Sequence, residues 1–305
     1  MLNIVPIEGS FAAEIRCGDL RHISDETARD IRAAWLRHGV VLFRDQRLED
    51  AELVAFGRRF GEFQYSKPLV SPAAIEGKVK QGGRIDRHPE ITVVSNVIEN
   101  GVAIGGLGDG EVSWHTDMNS FEVPPNQTIL YALEVPLSGG RTGFANMTLA
   151  YAALPQALKQ RIDHLMLKHD PGATVIGYVR PGHEHNAGNE LPVAPGTIHP
   201  LVRTHPETGT ESLYLGRRPR AYVLGLPVHE SEVLLDELWQ HATQPQFIWY
   251  HEWRLDDMLM WDNRCVMHRR EPFDEHARRV MHRMVIKGTK PFRQRTASAD
   301  AEAIP

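Results

Sequence analysis

The sequence predicts a mainly β protein in which α-helices flank an antiparallel barrel or sandwich. Short apolar runs of strand length recur along the middle and C-terminal parts of the chain, and turn residues separate them. These runs rarely alternate with helical patterns, as they would in the βαβ units of a parallel sheet. The 305-residue chain contains 42% hydrophobic residues, which is enough for a substantial core.

The first 65 residues have a mixed α/β pattern. Ser24 is suited to cap the N-terminus of a helix over about residues 25–37. The apolar stretch at residues 39–43 predicts a buried strand, and a second helix is expected at about residues 48–60. The second helix would place three apolar side chains on one face, namely Leu53, Phe56 and Phe60.

Residues 66–112 are predicted to be irregular and rich in glycine, apart from a strand at residues 91–95. The stretch from Gly101 to Gly110 holds five glycines and leads directly into a motif that contains His115. Glycine-rich connections next to functional residues are commonly mobile. We therefore expect this stretch to be a mobile loop beside a functional site.

The remainder of the chain is predicted to be rich in strands, with helices between them. The clearest strand patterns are residues 128–133, 213–215 and 280–287. Pro155 interrupts a helical pair near residues 148–165 and suits the first turn of its second helix. A further helix near residues 230–241 would turn three side chains inward, namely Val233, Leu234 and Leu238.

We expect a single domain over residues 1–305, because the candidate functional residues come from both halves of the strand-rich region. The α/β portion at residues 1–65 would pack on the β core, and residues 293–305 would form a flexible tail. The polar stretch from His183 to Pro195 is rich in Gly and Pro, which indicates an excursion on the surface.

Charge and cysteine content argue against several classes of protein. The net charge is −5 and no basic stripe is present, so we expect no nucleic-acid partner. No apolar run approaches the roughly 20 residues of a spanning helix, and the N-terminus lacks the pattern of a signal peptide. Cys17 and Cys265 are far apart in sequence and indicate two reduced thiols in a cytoplasmic protein.

Two distant motifs supply candidate metal ligands. His115 and Asp117 are two residues apart, so on an extended strand their side chains would point to the same face. Together with His268 they provide two imidazoles and one carboxylate, the ligand set of a facial non-haem Fe(II) site. A His-x-Asp pair alone more often represents a core histidine beside a surface aspartate. The assignment therefore depends on the residues around His268.

Two arginines follow His268 on a predicted strand. Arg279 and Arg283 are four residues apart, so they share one face of that strand. Neighbouring guanidinium groups repel each other unless anions lie between or beside them, and arginine grips carboxylates bidentately. We therefore expect a pocket for two anionic groups. The alternative, solvated arginines on a surface strand, is disfavoured by the apolar residues around them.

These motifs resemble the TauD/TfdA family of Fe(II)- and 2-oxoglutarate-dependent dioxygenases, which includes taurine and aryloxyalkanoate dioxygenases. The similarity extends from about residue 5 to residue 292. Five stretches of the sequence carry it: residues 114–117, 139–142, 203–206, 261–268 and 279–283.

The resemblance implies the fold and the roles of the motif residues. The fold would be a double-stranded β-helix, or jelly roll, with flanking helices. The ligands of Fe(II) would be His115, Asp117 and His268. Thr142 and Arg279 would hold the distal carboxylate of the cosubstrate 2-oxoglutarate, and Arg283 would bind the charged end of the substrate.

The resemblance also implies an enzyme that uses O2 to hydroxylate an unactivated C–H of a small anionic substrate, with release of succinate and CO2. Asp117 favours hydroxylation, because family members that halogenate lack this carboxylate. Sulfonates, sulfate esters and aryloxyalkanoate-like acids are the candidate substrates. Taurine is disfavoured, because residues 105–113 differ from the polar residues with which taurine enzymes contact the substrate amine. A homo-oligomer, dimer or tetramer, is expected.

Two other functions remain open at this point. One is a 2-oxoglutarate oxygenase of an amino-acid-derived or secondary metabolite, with hydroxylation, desaturation or cyclisation as its outcome. The other is a non-catalytic, cupin-like metal-binding protein. Thr142 and Arg279 discriminate against the latter, because a structural metal site does not require a cosubstrate pocket.

Several other polar residues are assigned structural roles. His183 and His185 form a His-x-His pair, but no third ligand lies near them in the sequence. Asp262 and Asn263 are expected to fix the turn before His268 through side-chain-to-backbone hydrogen bonds. Cys265 is predicted to face the core and has no catalytic motif around it.

Overall fold

The computed structural model describes residues 2–65, 69–172, 174–179, 183–184 and 190–294. It confirms a mainly β chain with few helices. In chain order over these residues, the helices α1 to α6 are Asp25–His38, Asp50–Arg58, Pro72–Ile75, Met147–Ala152, Gln156–Ile162 and Val228–Ala242. The strands β1 to β21 are Asn3–Pro6, Ala13–Arg16, Val40–Phe43, Lys80–Gln81, Arg84–Ile85, His88–Ser95, Ile98–Glu99, Val102–Ala103, Gly106–Leu107, Val112–His115, Gln127–Glu134, Thr142–Asn146, Met166–His169, Thr197–Pro200, Val202–Thr204, Glu211–Leu213, Tyr222–Val223, Ile248–His251, Met258–Asp262, Val266–Arg270 and Val280–Ile286.

Two large sheets organise these strands. Within the described residues, the first sheet has nine strands in the order β1-β2-β3-β19-β11-β21-β6-β5, with β9 paired beside β6. The second sheet has four strands in the order β10-β20-β12-β18. Most neighbours are antiparallel, as predicted, but β2 and β3, β4 and β8, and β6 and β9 pair in parallel.

The apolar side chains divide the molecule into layers. Phe144 and Val266 of the four-stranded sheet pack with Leu130, Leu259 and other side chains of the nine-stranded sheet in one cluster. On its other face, the nine-stranded sheet packs against α1 and α2. The outer face of the four-stranded sheet packs against α4 and α6. The two sheets therefore face each other, with helices covering both outer surfaces.

Several predicted elements are confirmed, with small differences in their ends. The Ser24 side chain accepts a hydrogen bond from the Thr27 backbone and begins α1, and Gly39 ends that helix in the left-handed conformation with φ of 71°. The second predicted helix is shorter, because it covers only Asp50–Arg58. Pro155 precedes α5 as its N-cap residue and does not belong to its first turn.

The prediction that Val233 points inward is wrong. Its side chain is 63% exposed, whereas Leu234 and Leu238 are fully buried. The buried stripe of α6 also includes Leu235 and Ala242. Val233 lies five residues before Leu238, which corresponds to roughly 140° around the helix axis, so it falls outside that stripe.

The glycine-rich stretch before His115 has more regular secondary structure than predicted, and its mobility stays a prediction. It includes strands β8 and β9, and Gly105 and Gly106 are buried. The cause is close packing, since a Cβ on Gly106 would lie 2.3 Å from the carbonyl carbon of Leu69. The stretch does border the candidate site, because Leu107 lines its cavity.

Two further observations concern the chain as a whole. Among the described residues, no helix combines the length and the apolar character that a membrane span requires. Cys17 and Cys265 are both free thiols, as predicted. Residues 185–189 of the predicted surface excursion, which include His185, lie outside the described residues. That the chain forms a single domain stays a prediction.

Candidate metal and cosubstrate site

Antiparallel pairing of β10 and β20 places the two candidate histidines opposite each other. His115 is the last residue of β10, and His268 is its direct partner on β20. Their ring centroids are 4.1 Å apart. The hydrophobic residues around them on β20, including Val266 and Met267, anchor this strand in the core. Strand pairing therefore brings together two histidines that are far apart in the sequence.

Asp117 reaches the same point from a turn and not from the strand. Strand β10 ends at His115, and Asp117 lies in the turn that follows, next to Met118 with φ of 49°. The same-face argument for an extended strand therefore does not apply, although its conclusion holds. One ligand atom from each of His115, Asp117 and His268 lies within 4.8 Å of the others.

The orientation of the donor atoms suits metal binding. His115 Nε2 is 3.8 Å from Asp117 Oδ1, and His268 Nε2 is 3.9 Å from Asp117 Oδ2. The Nδ1 of His115 lies 2.8 Å from the carbonyl oxygen of Ser113. Because a carbonyl only accepts, Nδ1 carries the proton and the Nε2 lone pair faces Asp117.

The protonation states also suit metal binding. Burial lowers the pKa of His115 well below its usual value, and the neighbouring His268 lowers it further. Burial likewise lowers the pKa of His268 to about 4. Burial would raise the pKa of Asp117, but Arg283 and the two histidines outweigh that effect and hold this pKa well below its usual range. Two neutral imidazoles and one carboxylate fit the donor set of Fe(II).

A chain of buried hydrogen bonds orients Asp117. Thr128 on β11 donates its hydroxyl proton to Asp117 Oδ2 over 2.7 Å. Asn263 in turn donates to the Thr128 oxygen over 2.8 Å, and Trp261 Nε1 donates to Asn263 Oδ1 over 3.1 Å. Asn263 thus acts mainly through side-chain contacts, and the predicted side-chain-to-backbone bond belongs to Asp262. The sequence analysis missed Thr128, although it lies in a predicted strand.

The three residues border a cavity of about 330 Å³ that also contains the predicted cosubstrate residues. Thr142 lies at the start of β12, and its hydroxyl oxygen accepts a hydrogen bond from Trp253 Nε1 over 2.9 Å. Arg279 is only 2% exposed, and its guanidinium lies 6.0 Å from the ring centroids of both Trp253 and Phe273.

The two predicted arginines differ in their partners. Arg283 forms an ion pair with Asp117 Oδ1 at 2.7 Å, so it contacts the carboxylate that belongs to the candidate metal ligands. Arg279 forms no ion pair with any carboxylate among the described residues, and its Nε has no hydrogen-bond partner. Burial and the nearby Arg270 lower the pKa of Arg279. Asp117 therefore neutralises the charge of Arg283, whereas the charge of Arg279 has no carboxylate partner among the described residues.

Arg270 is a buried residue of the cavity to which the sequence analysis assigned no role. It is 5% exposed, lines the cavity and lies opposite Thr142 in the pairing of β12 with β20. Burial lowers its pKa to about 10. The signal was available, because Arg270 follows His268 by two residues and strand residues at this spacing share a face.

A second group of metal-type side chains has a different explanation. His205, Asp262 and Cys265 also lie within 4.8 Å of one another. Asp262, however, accepts hydrogen bonds from the guanidinium of Arg264 at 2.7 and 2.8 Å and lies 3.1 Å from His205 Nε2. Its charge is already satisfied by a buried arginine, so we assign this group to structure.

Several known proteins are similar to the chain over most of its length. The model of the family described as "Taurine catabolism dioxygenase TauD, TfdA family" matches residues 3–285. The (S)-phenoxypropionate/alpha-ketoglutarate-dioxygenase of Sphingobium herbicidovorans is 32% identical, with 94% of this chain and 95% of that protein covered. The alpha-ketoglutarate-dependent 2,4-dichlorophenoxyacetate dioxygenase of Cupriavidus pinatubonensis is 34% identical, with 91% of this chain and 95% of that protein covered.

A solved structure has a similar fold over nearly the whole chain. The crystal structure of AAD-2 in complex with Mn(II) and N-oxalylglycine has a TM-score of 0.74 and 28% sequence identity. The similarity covers 95% of the present chain and 99% of the AAD-2 chain.

Proposed function

The chain belongs to the TauD/TfdA family and is an Fe(II)- and 2-oxoglutarate-dependent dioxygenase, and from this premise we propose the role of each site residue. The proposed ligands of Fe(II) are His115, Asp117 and His268. Thr142 and Arg279 bind the distal carboxylate of 2-oxoglutarate, and Arg283 meets the anionic group of the substrate. The observation that carries this proposal is the convergence of two neutral imidazoles and a carboxylate at one cavity.

The bound metal, with 2-oxoglutarate and O2, supplies the oxidising chemistry. One oxygen atom enters the substrate C–H as a hydroxyl group, and the other enters succinate as CO2 leaves. The residues of the chain position the reactants. Neutral His115 and His268 offer lone pairs, while Thr128 and Arg283 hold the Asp117 carboxylate in one orientation.

Arg279 is well suited to a carboxylate, because its charge is buried without a described counter-ion. A buried charge is costly unless it is paired, so an arriving carboxylate relieves that cost. The neighbouring Thr142 hydroxyl already accepts a hydrogen bond from Trp253, which leaves its own proton available for a carboxylate oxygen.

The cavity favours an organic anion with an apolar body. Its wall includes many apolar side chains, among them Leu69, Leu107, Phe121 and Leu130. Among the described lining residues, Asp117 is the only carboxylate, and it already faces Arg283. An ammonium group would therefore find no free anionic partner. We propose an aryloxyalkanoate-like acid or an apolar sulfate or sulfonate as substrate, in preference to taurine.

The finer points of the architecture and context are part of the same proposal. Two facing sheets with outer helices support a double-stranded β-helix, or jelly roll. We also propose a homo-oligomer in the cytoplasm, as expected from the family resemblance. Desaturation or cyclisation of a secondary metabolite remains the second candidate outcome.

Succinate release tests the proposal directly. Purified protein with Fe(II), 2-oxoglutarate and O2 is assayed against aryloxyalkanoates, alkyl sulfates, alkyl sulfonates and taurine. We expect stimulation by one or more apolar anions and little by taurine. Stimulation by taurine alone would contradict the substrate proposal, and the absence of 2-oxoglutarate binding would contradict the cosubstrate site.

Matched arginine variants separate the two anion sites. Arg279→Met should raise the KM for 2-oxoglutarate, and Arg283→Met should raise the KM for the stimulating substrate. Arg278 is the control, because it is half exposed and pairs with Glu134 and Glu99 outside the cavity. If Arg283→Met affected only 2-oxoglutarate, the two assignments would be reversed.

A further inference from the structure

The cavity contains a second buried guanidinium close to Arg279. Arg270 and Arg279 both lie against the ring of Phe273, with their guanidinium carbons 5.1 and 6.0 Å from its centroid. Neither arginine forms an ion pair with a carboxylate of the described residues. Asp109 acts on Arg270 only through a longer-range charge interaction. Two buried cations at one end of a cavity require an anion to offset their repulsion and their desolvation.

Hydrogen bonds to backbone carbonyls hold the Arg270 guanidinium in place but do not use all of its donors. One terminal nitrogen donates to the carbonyl oxygens of Leu107 and Gly110. Its Nε is buried and has no hydrogen-bond partner. The guanidinium is therefore positioned before any ligand arrives, with at least one buried donor available.

The location of Arg270 relates it to the cosubstrate. It lies two residues beyond His268 on β20 and directly opposite Thr142 on β12. The residue opposite it is thus the threonine assigned to the distal carboxylate, and the Phe273 ring beside Arg270 also lies next to the arginine assigned to the same group. A carboxylate has four lone-pair positions, so it can accept from two guanidiniums and a hydroxyl at once.

We propose that Arg270 is a second arginine of the 2-oxoglutarate carboxylate site, acting together with Arg279 and Thr142. This inference rests on the proposed function, since it assumes that 2-oxoglutarate binds at this end of the cavity. Arg283 at the metal end is left for the substrate anion. The distal carboxylate then neutralises both Arg270 and Arg279.

Binding calorimetry on the full chain loaded with Mn(II), without turnover, tests the proposal with two ligands. One is 2-oxoglutarate, and the other is 2-oxopentanoate, which keeps the 2-oxo acid end but carries a methyl group in place of the distal carboxylate. Arg270→Met should weaken 2-oxoglutarate binding about 10- to 100-fold, the loss expected for a charge-assisted hydrogen bond. Binding of 2-oxopentanoate should change less than about twofold, because that ligand has no distal carboxylate to pair with the two arginines.

Controls distinguish this role from a structural one. Arg141 is a nearby exposed arginine paired with Glu271, so Arg141→Met should leave both affinities unchanged. If Arg270→Met does not fold, Arg270→Lys, which keeps the charge but not the fork, should still bind 2-oxoglutarate more weakly than wild type does. Unchanged 2-oxoglutarate binding, or an equal loss for both ligands, would overturn the proposal. Failure of wild type to bind 2-oxoglutarate would instead contradict the proposed function.

Discussion

At the scale of single residues, Asp117 shows how the carboxylate of the proposed metal site is held in its charged form. It is buried, and burial alone would favour its protonated form. Arg283 and Thr128 contact its two oxygens at 2.7 Å each and keep the charged form favourable. Its ionisation therefore depends on partners from β11 and β21, strands that come after it in the chain.

Thr142 offers a test of a single hydroxyl group. Thr142→Val removes the acceptor of the buried Trp253 Nε1–H and should destabilise the protein by about 1–3 kcal/mol, the cost of an unsatisfied buried donor. The same variant should weaken 2-oxoglutarate binding. Thr142→Ser is the matched control, because it retains the hydroxyl. Urea denaturation and calorimetry measure the two effects, and a Ser variant as impaired as the Val variant would contradict this explanation.

Residue types and strand periodicity were enough to predict part of the candidate site from the sequence. His115, His268 and Arg279 meet at one cavity as expected. Arg270 was missed because a sequence shows spacing but not burial, and a charged residue in a polar run resembles a solvated one. The contact between Arg283 and Asp117 depends on how strand β21 packs against the turn after β10, which local patterns do not encode.

At the scale of elements, the turn between β19 and β20 positions His268. Asp262 at the end of β19 accepts hydrogen bonds from the Arg264 backbone N–H and from its guanidinium. Burial would raise the pKa of Asp262, but Arg264 and His205 hold it well below its usual range. The turn therefore contains a buried ion pair that is coupled to pH.

Asp262→Asn should lower the free energy of unfolding at pH 7 by about 3–5 kcal/mol, because it leaves the buried Arg264 without its full partner. A depressed native pKa contributes stability that is fully present above the unfolded-state pKa of about 3.9 and is lost as the pH falls below it. The difference between wild type and variant should thus be constant near neutral pH and should narrow below about pH 4.

Urea denaturation at a series of pH values measures this difference. Asp25→Asn is the control, because Asp25 is 90% exposed and its ion pair with Arg59 should contribute little. A gap between wild type and Asp262→Asn that stays the same down to pH 3.5 would refute the role assigned to the ionised Asp262.

The packing of strand β9 against Leu69 requires a glycine at position 106. A Cβ at Gly106 would lie 2.3 and 2.4 Å from the carbonyl carbon and oxygen of Leu69, so backbone would have to move. Gly106→Ala should destabilise the protein by about 1–3 kcal/mol, as overpacking commonly does. It should also weaken substrate binding, because Leu69 and Leu107 both line the cavity.

Gly110→Ala is the matched control for this prediction, since nothing lies within 4 Å of the Cβ it would add. Thermal denaturation and the KM of the stimulating substrate give the two readouts. Equal behaviour of the two alanine variants would show that the contact with Leu69 is not tight in solution.

The elements themselves could be predicted best where periodicity was strong. Helix α1 with its Ser24 cap and strand β11 were predicted to within about one residue. The short strands β8 and β9 were not, because two-residue strands have no period to detect and exist only through their partners. Val233 was misplaced because the adjacent Leu234 and Leu235 allow more than one apolar stripe on the helix.

At the scale of the whole molecule, the site joins the two large sheets. His115 and His268 belong to the four-stranded sheet, whereas Arg283 lies on β21 of the nine-stranded sheet and Arg279 directly precedes that strand. A ligand that contacts both groups of residues therefore crosses the interface between the sheets. Binding at this point should stabilise the fold as a whole, because neither sheet can separate while the ligand is bound.

Mn(II) and N-oxalylglycine, a compound with the two carboxylates of 2-oxoglutarate, test this linkage without turnover. Each ligand at about 100 times its Kd should raise the free energy of unfolding by about 2.7 kcal/mol. His268→Ala should abolish the stabilisation by Mn(II). Arg279→Met should keep the stabilisation by Mn(II) and lose most of that added by N-oxalylglycine, because the arginine contacts only the organic ligand. Stabilisation of His268→Ala by Mn(II) to the wild-type extent would show that the metal binds elsewhere, and the two sheets would then be joined by packing alone.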